Sequence, residues 1–494
     1  MKQLNGFAQP NVVLPVVGPA RFALGRSAAI KVRKSMQRRW LSVVSSLLFA
    51  LCAVVLGLAS KAWGDTVLYN FAGPTGDGAY AIGTPIHDKY GNLYGTTDQG
   101  GLYGYGTVFV LCAPGAASPD LYPCTTSLAS WTEFVLYNFK GPSSGGDGAN
   151  PRGTLVFNGL YAGRSFTLYG TTYNGGNPNT CSANGTKQGC GTVFELCAPS
   201  NFGGCGGVNV WKEKVLHRFL GGTDGALPFG GLISDKASDV FGTTVYGGHL
   251  GTCKIGSVNN YCGTVFKLKG QSPWTFPETI LHRFKGSPDG ANPYATLCCN
   301  TIYAIPYLYG TTVNGGTSNL GAVFKVKNSG AFPTTVLYNF SGTPDGANPY
   351  GDVIFDASGN LYSTTSAGGA NSMGTVFELL SPSLTTESVL YSFCPISGCA
   401  DGATPYAGLT FDTAGNLYGT TYSGGTGCGG TCGTVFELVP SWTESVLWSF
   451  TGGATDGSSP FAGVTFDTPI SPSNLYGATR FSGTSSFGVI YSVP

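Results

Sequence analysis

The stretch DGANPYGDVIFDASGNLYSTTSAGG, residues 345–369, decides the fold, because close copies of it recur along the whole chain. It contains no His, Lys, Arg or Cys. Its parts read as local structure. Asp352 to Asp356 (DVIFD) is a short β-branched and aromatic run, ASGN is a hairpin turn whose Asn and Gly suit positive φ, and NLYSTT is a second run. Working outward, GTVFEL follows at Gly374 and VLYSF at Val389, each bounded by turn residues.

All of these phrases repeat in the same order. VLYNF stands at Val67, Val135 and Val336, with variants at Val215, Ile280, Val389 and Val446. LYGTT or a relative starts at Leu93, Leu168, Val240, Leu308, Leu361, Leu417 and Leu475, and GTVF or a relative at Gly106, Gly191, Gly263, Gly321, Gly374, Gly433 and Gly488. The unit is four strands, repeated seven times at intervals of 53 to 80 residues.

A four-stranded sheet cannot bury both faces alone, and radial stacking of seven sheets solves this. The expected fold is all-β, a seven-bladed β-propeller with four-stranded blades. A solenoid would call for capping repeats, and none is visible. The repeat opens on VLYNF and the chain stops after GVIYSVP (Gly488 to Pro494), so the copies are out of phase with the blades. With a blade order of DVIFD, NLYSTT, GTVFEL, VLYSF from the centre outward, the last blade lacks its outer strand, and residues 66–71 are expected to supply it.

Residues 1–64 carry nine of the 26 basic residues and no acidic one, with an apolar run from Trp40 to Ala59 after Arg38-Arg39. They read as an export signal, with a true start at Met36 and cleavage after Gly64, and an uncleaved membrane anchor as the rival. Residues 65–494, the expected single propeller domain, keep 17 basic against 25 acidic residues, a formal net charge of −8. That balance disfavours a nucleic-acid partner.

Cysteine usage supports export independently. Near-neighbour pairs are Cys112 with Cys124, Cys181 with Cys190, Cys197 with Cys205, Cys253 with Cys262, Cys394 with Cys399, and Cys428 with Cys432. They read as disulfides rather than zinc ligands, since there is no C-x-x-C pair and no His at ligand spacing. Cys298 and Cys299 are adjacent, either a vicinal bridge or two thiols.

The sevenfold series VLYNF, DGANP, GNLYGTT, GG, GTVFEL resembles the GloVer tandem repeat of bacterial exported proteins described as choice-of-anchor proteins. That resemblance implies an exported, extracellular, periplasmic or surface protein and brings no established activity.

DG occurs in every unit, at Asp77, Asp147, Asp224, Asp289, Asp345, Asp401 and Asp456. These aspartates and the Thr pairs are expected on one rim near the central channel. There, each Asp either accepts backbone N–H bonds while its Gly takes positive φ, or joins a ring that binds a sugar or a cation such as calcium. Sevenfold recurrence favours the structural role, since a catalytic site needs different residues in one place. No other cofactor is expected. Departures from the repeat are the better place to seek chemistry. His217-Arg218 and His282-Arg283 replace YN and read as a solvated face, as do Glu195, Glu378 and Glu437 in GTVFEL. GPSSG at Gly141 is not a nucleophile elbow, since no helix can follow it. The function expected is a secreted, non-catalytic binding or scaffold propeller that contacts carbohydrate or a cell-surface protein. The alternative is an extracellular polysaccharide hydrolase or lyase that uses two acidic loop residues.

Overall fold

The structure is a computed structural model that describes residues 66–494 apart from short stretches, the longest being 116–121, 159–166, 200–206, 249–253, 271–275, 300–305, 329–333 and 468–473. The expected export signal, residues 1–64, lies outside the described residues. Seven antiparallel sheets form a ring, and no helix occurs among the described residues. Blade 5 shows the plan, with Ile354–Phe355 innermost, then Leu361–Thr365, Thr375–Leu379 and Glu387–Ser392. Blade 7 runs Thr465–Phe466, Leu475–Thr479, Val489–Val493 and then Thr66–Asn70, whose register pairs Thr66 with Ser492 and Asn70 with Val489. The N-terminal strand closes the ring, as the phase of the repeat requires.

Burial explains why the middle strands are so apolar. Leu361–Thr365 and Thr375–Leu379 are buried at every residue, since neighbouring blades cover both faces, whereas Glu387–Ser392 is partly exposed throughout. Each outer strand carries a one-residue irregularity, in blade 5 between the partners of Val376 and Phe377. A bulge bends a strand and re-aims its side chains. Beyond it, Phe393 is fully buried and meets Phe436 of the next blade edge-to-face at 5.1 Å. The same pairing recurs at all seven junctions, from Phe71 with Phe109 at 5.3 Å to Phe450 with Tyr491 at 4.9 Å. Such a ring pair contributes about 0.5–1.5 kcal/mol beyond its buried area.

The Thr pair is part of the same scaffold. Thr364 donates to the Ala407 carbonyl of the next blade at 2.7 Å, as Thr171 does to Gly230 at 3.0 Å and Thr420 to Ala462 at 2.8 Å. Thr365 shares a 2.8 Å bond with Thr375 inside its own blade. Both residues are buried rather than displayed on a rim.

Two details depart from the expected plan. Blade 4 keeps only a bridge between Cys298 and Tyr309 where the innermost strand stands elsewhere, and blade 1 gains a strand, Gly78–Ala81. The glycine after each Asp does not generally take positive φ; among the seven only Gly225 and Gly402 do. At Gly346 the reason is space, because an added Cβ would lie 2.4 Å from Thr365 Cγ2. Positive φ falls two residues later, at Tyr80, Asn150, Leu227, Asn292, Asn348, Thr404 and Ser459. Asn tolerates that conformation best, which accounts for the Asn of DGANP.

Candidate functional site

The seven aspartates stand at seven blade junctions, each beside the outer strand that precedes it. Asp345 accepts Ser341 N–H at 2.7 Å, Gly346 N–H at 2.6 Å and Tyr338 O–H at 3.2 Å. Asp77, Asp147 and Asp401 likewise accept Tyr69, Tyr137 and Tyr391 at 3.0 Å, and Asp456 accepts the N–H groups of Thr451 and Gly457 at 2.6 Å. Asp224 accepts Leu220 N–H at 2.7 Å and Asp289 accepts Lys285 N–H at 3.2 Å. Among the described residues, no hydrogen bond or ion pair joins two of the seven. There is one carboxylate per junction, and each is tied to its own outer strand or the link that follows it.

A second carboxyl faces most of these aspartates from the following outer strand. Burial, then the charge of Asp77, pushes Glu133 up to about 8. Burial and Asp147 push Glu213 to about 8, and burial and Asp345 push Glu387 to about 7. Burial and Asp401 push Glu444 to about 7. One oxygen of each of these four glutamates is buried without a hydrogen-bond partner.

The solvated faces expected at His217, His282, Glu195 and Glu378 are corrected at this level, while Arg218 is exposed as expected. His217 and His282 occupy the place of the junction tyrosines, with Nε2 3.4 Å from Asp224 and 2.9 Å from Asp289, and their side chains are only 19% and 13% exposed. Arg218 and Arg283 donate across the junction to the carbonyls of Gly146 and Thr223. Glu195 and Glu378 are buried, and Tyr362 and Tyr418 donate to Glu378 and Glu437 at 2.6 and 2.7 Å. Alternation along a strand implies a wet face only when one side of the sheet is open, and here the next blade covers it.

The axis holds a cluster that reading the repeat did not single out. Two residues after each positive-φ position stand Ile82, Arg152, Phe229, Tyr294, Tyr350, Tyr406 and Phe461. Five of them form a chain of rings. Phe229 meets Tyr294 at 5.2 Å, Tyr294 meets Tyr350 at 5.0 Å, Tyr350 meets Tyr406 at 4.9 Å and Tyr406 stacks on Phe461 at 5.0 Å. Phe461 returns to Phe229 at 5.7 Å, across the sector that holds Ile82 and Arg152. Tyr173 and Tyr422 add their rings to Phe229 and Tyr406 at 6.1 and 5.2 Å. These rings are half-buried. Burial, then neighbouring tyrosines, raises Tyr350 to about 12.

Charge enters this cluster in one sector. Arg152 Nε donates to buried Asp98 at 2.7 Å, and its guanidinium lies 4.0 Å from the centre of the Tyr173 ring. The sequence signal that could have revealed the cluster is the aromatic residue that follows the link proline in five of the seven copies, at Phe229, Tyr294, Tyr350, Tyr406 and Phe461, broken by Ile82 and Arg152.

Disulfides join Cys112 to Cys124, Cys181 to Cys190, Cys394 to Cys399 and Cys428 to Cys432. Cys197 and Cys262 are also disulfide-bonded, while their expected partners, Cys205 and Cys253, lie outside the described residues. Cys298 and Cys299 remain thiols, and burial pushes Cys298 up to about 12.

Residues 249–491 match the Gloeobacter/Verrucomicrobia repeat. No curated protein is similar enough to match the chain. Among solved structures, an ancestral GH74 enzyme is similar at 11% identity and TM-score 0.49, covering 84% of this chain and 47% of its own. This chain thus spans about half the length of that enzyme. A protein of unknown function from Dyadobacter fermentans is similar at 9% identity and TM-score 0.42, covering 87% and 96%. A gluconolactonase from Xanthomonas campestris is similar at 13% identity and TM-score 0.33, covering 70% and 90%. Likeness at this level carries no activity to the present chain.

Proposed function

We propose that this chain, which carries the Gloeobacter/Verrucomicrobia repeat over residues 249–491, is an exported binding propeller whose axial ring cluster takes carbohydrate. The observation that carries this reading is the unbroken run from Phe229 through Tyr294, Tyr350 and Tyr406 to Phe461, with Arg152 beside Phe229. Half-exposed tyrosines offer an apolar face and a polar tip, which suits a ligand that is apolar on one side and hydroxylated at its rim. Arg152 adds N–H donors for hydroxyl or carboxylate oxygens, and Asp98 holds it in place. Disulfides and the exported character of the repeat family support an extracellular setting. Hydrolysis by an acid–base pair would need a second carboxyl beside Asp98, and Asp98 is itself buried against Arg152.

The test is incubation of the secreted protein with soluble and insoluble polysaccharides, with and without a calcium chelator, measuring bound protein and released oligosaccharide together. Binding without release is expected. Tyr406→Ala should weaken it at least about tenfold, roughly 1.4 kcal/mol. Release of defined products would replace this reading with the hydrolase or lyase. Loss of binding with the chelator would bring a cation into the site.

A further inference from the structure

The junction between blades 2 and 3 breaks the repeat in a way that assembles metal ligands. His217 lies in the outer strand Lys212–Arg218, Asp224 in the link, and Glu278 in the next outer strand, Glu278–Arg283. One donor atom from each lies within 4.8 Å of the others. His217 Nε2 is 3.4 Å from Asp224 Oδ2 and 3.7 Å from Glu278 Oε1. Both His217 Nε2 and Glu278 Oε1 are buried atoms without a hydrogen-bond partner. We propose that His217, Asp224 and Glu278 bind one divalent transition-metal cation of the zinc class.

Three arguments support this. The spacing about His217 suits, since a tetrahedral zinc with ligands at about 2.0–2.2 Å places its donor atoms roughly 3.3–3.6 Å apart, close to the 3.4 and 3.7 Å that separate His217 Nε2 from the two carboxylates. The donor set is right, because an imidazole nitrogen and two carboxylates suit zinc, whereas calcium takes six to eight oxygens. Finally, the histidine sets this junction apart, since the Asp–Glu pair recurs at most junctions but is joined by an imidazole here. Tyrosine replaces the histidine at Tyr69, Tyr137, Tyr338 and Tyr391, tryptophan at Trp448, and at the second histidine junction Thr334 replaces the glutamate. The trio occurs together at a single junction of the seven. The Leu220 N–H bond to Asp224 at 2.7 Å orients that ligand as an outer-shell donor would. Three protein ligands leave a fourth position for water, and the bound ion would join two blades.

The experiment uses the full secreted chain, stripped with chelator and titrated with zinc chloride by calorimetry, with metal content and melting followed in parallel. Expected are one zinc per chain and a melting midpoint that rises with zinc. His217→Tyr and Glu278→Thr each install the residue of another junction, so both should fold, as their metal-free melting will report. Each should bind zinc at least about 100-fold more weakly. His282→Tyr should leave zinc affinity unchanged. Failure of the parent chain to take up zinc, or zinc binding by His217→Tyr equal to the parent, would overturn the proposal. A calcium-induced rise in melting that Glu278→Thr abolishes would overturn the assignment to the zinc class.

Discussion

The junction of blades 4 and 5 and the mouth of the axis are built from the same few residues, yet they behave oppositely across the seven copies. Asp345 and Gly346 keep their identity in every unit, while Tyr350, a few residues on, is matched by Ile82, Arg152 and Phe229 elsewhere. A junction is remade seven times with one geometry, and its Asp must always accept the N–H groups of its link. The axis exists once. All seven side chains converge there, and Phe229 and Phe461 already meet across the sector of Ile82 and Arg152. Repetition therefore marks what each blade needs alike, and divergence marks the place where the ring can acquire a single asymmetric surface.

Deleting residues 66–70 should break this comparison most severely, because blade 7 loses its outer strand and the closure of the ring with it. The expected outcome is loss of the cooperative thermal transition for the whole propeller, followed by circular dichroism. Survival of a folded ring would show that junction packing alone holds it.

A paired substitution sharpens the contrast between the two regions. Phe284, fully buried against Phe324 at 5.0 Å, should cost about 3–5 kcal/mol as Phe284→Ala. Phe461→Ala at the half-buried axis should cost less than about half of that while reducing carbohydrate binding. Denaturant melts of both variants decide the order, and equal losses would make the axis a core rather than a surface.

The smallest effect concerns protons at the junctions. Glu133 has a folded pKa of about 8 against an ordinary 4.5, raised by burial and then by Asp77, with Tyr69 hydrogen-bonded to the same Asp. The folded chain therefore binds this proton more tightly than the unfolded chain. Its stabilising contribution is full below about pH 4.5, declines as the pH rises, and is gone above about 8. Glu133→Gln should remove that decline, and at pH 8 it should be more stable than the parent by about 1–3 kcal/mol after allowance for solvent screening. Parallel pH profiles of melting for parent and variant would remove the buried proton from the account.

Much of the scaffold was legible in the sequence. Seven ordered phrases imply seven blades, and the phase between VLYNF and GVIYSVP implies closure by the N-terminal strand, because each strand's pattern is local. Four disulfides follow from cysteines close in sequence. The cover over Glu378 and His217 is not legible in the sequence for a physical reason: a sheet covered on both faces buries its alternate residues as well, and strand period does not say what lies beyond the strand.

The number of blades, their strand order and the residues each junction repeats are written in the sequence, since these depend on short-range pattern and on copies that must pack alike. Which side chains from different units share a space depends instead on how the ring closes. Arg152 meets Asp98 from the preceding blade, Tyr406 stacks on Phe461, and His217 comes within 3.7 Å of Glu278 across 61 positions of chain. Closing a ring brings together residues separated by whole repeats, and their spacing along the chain carries no record of that meeting.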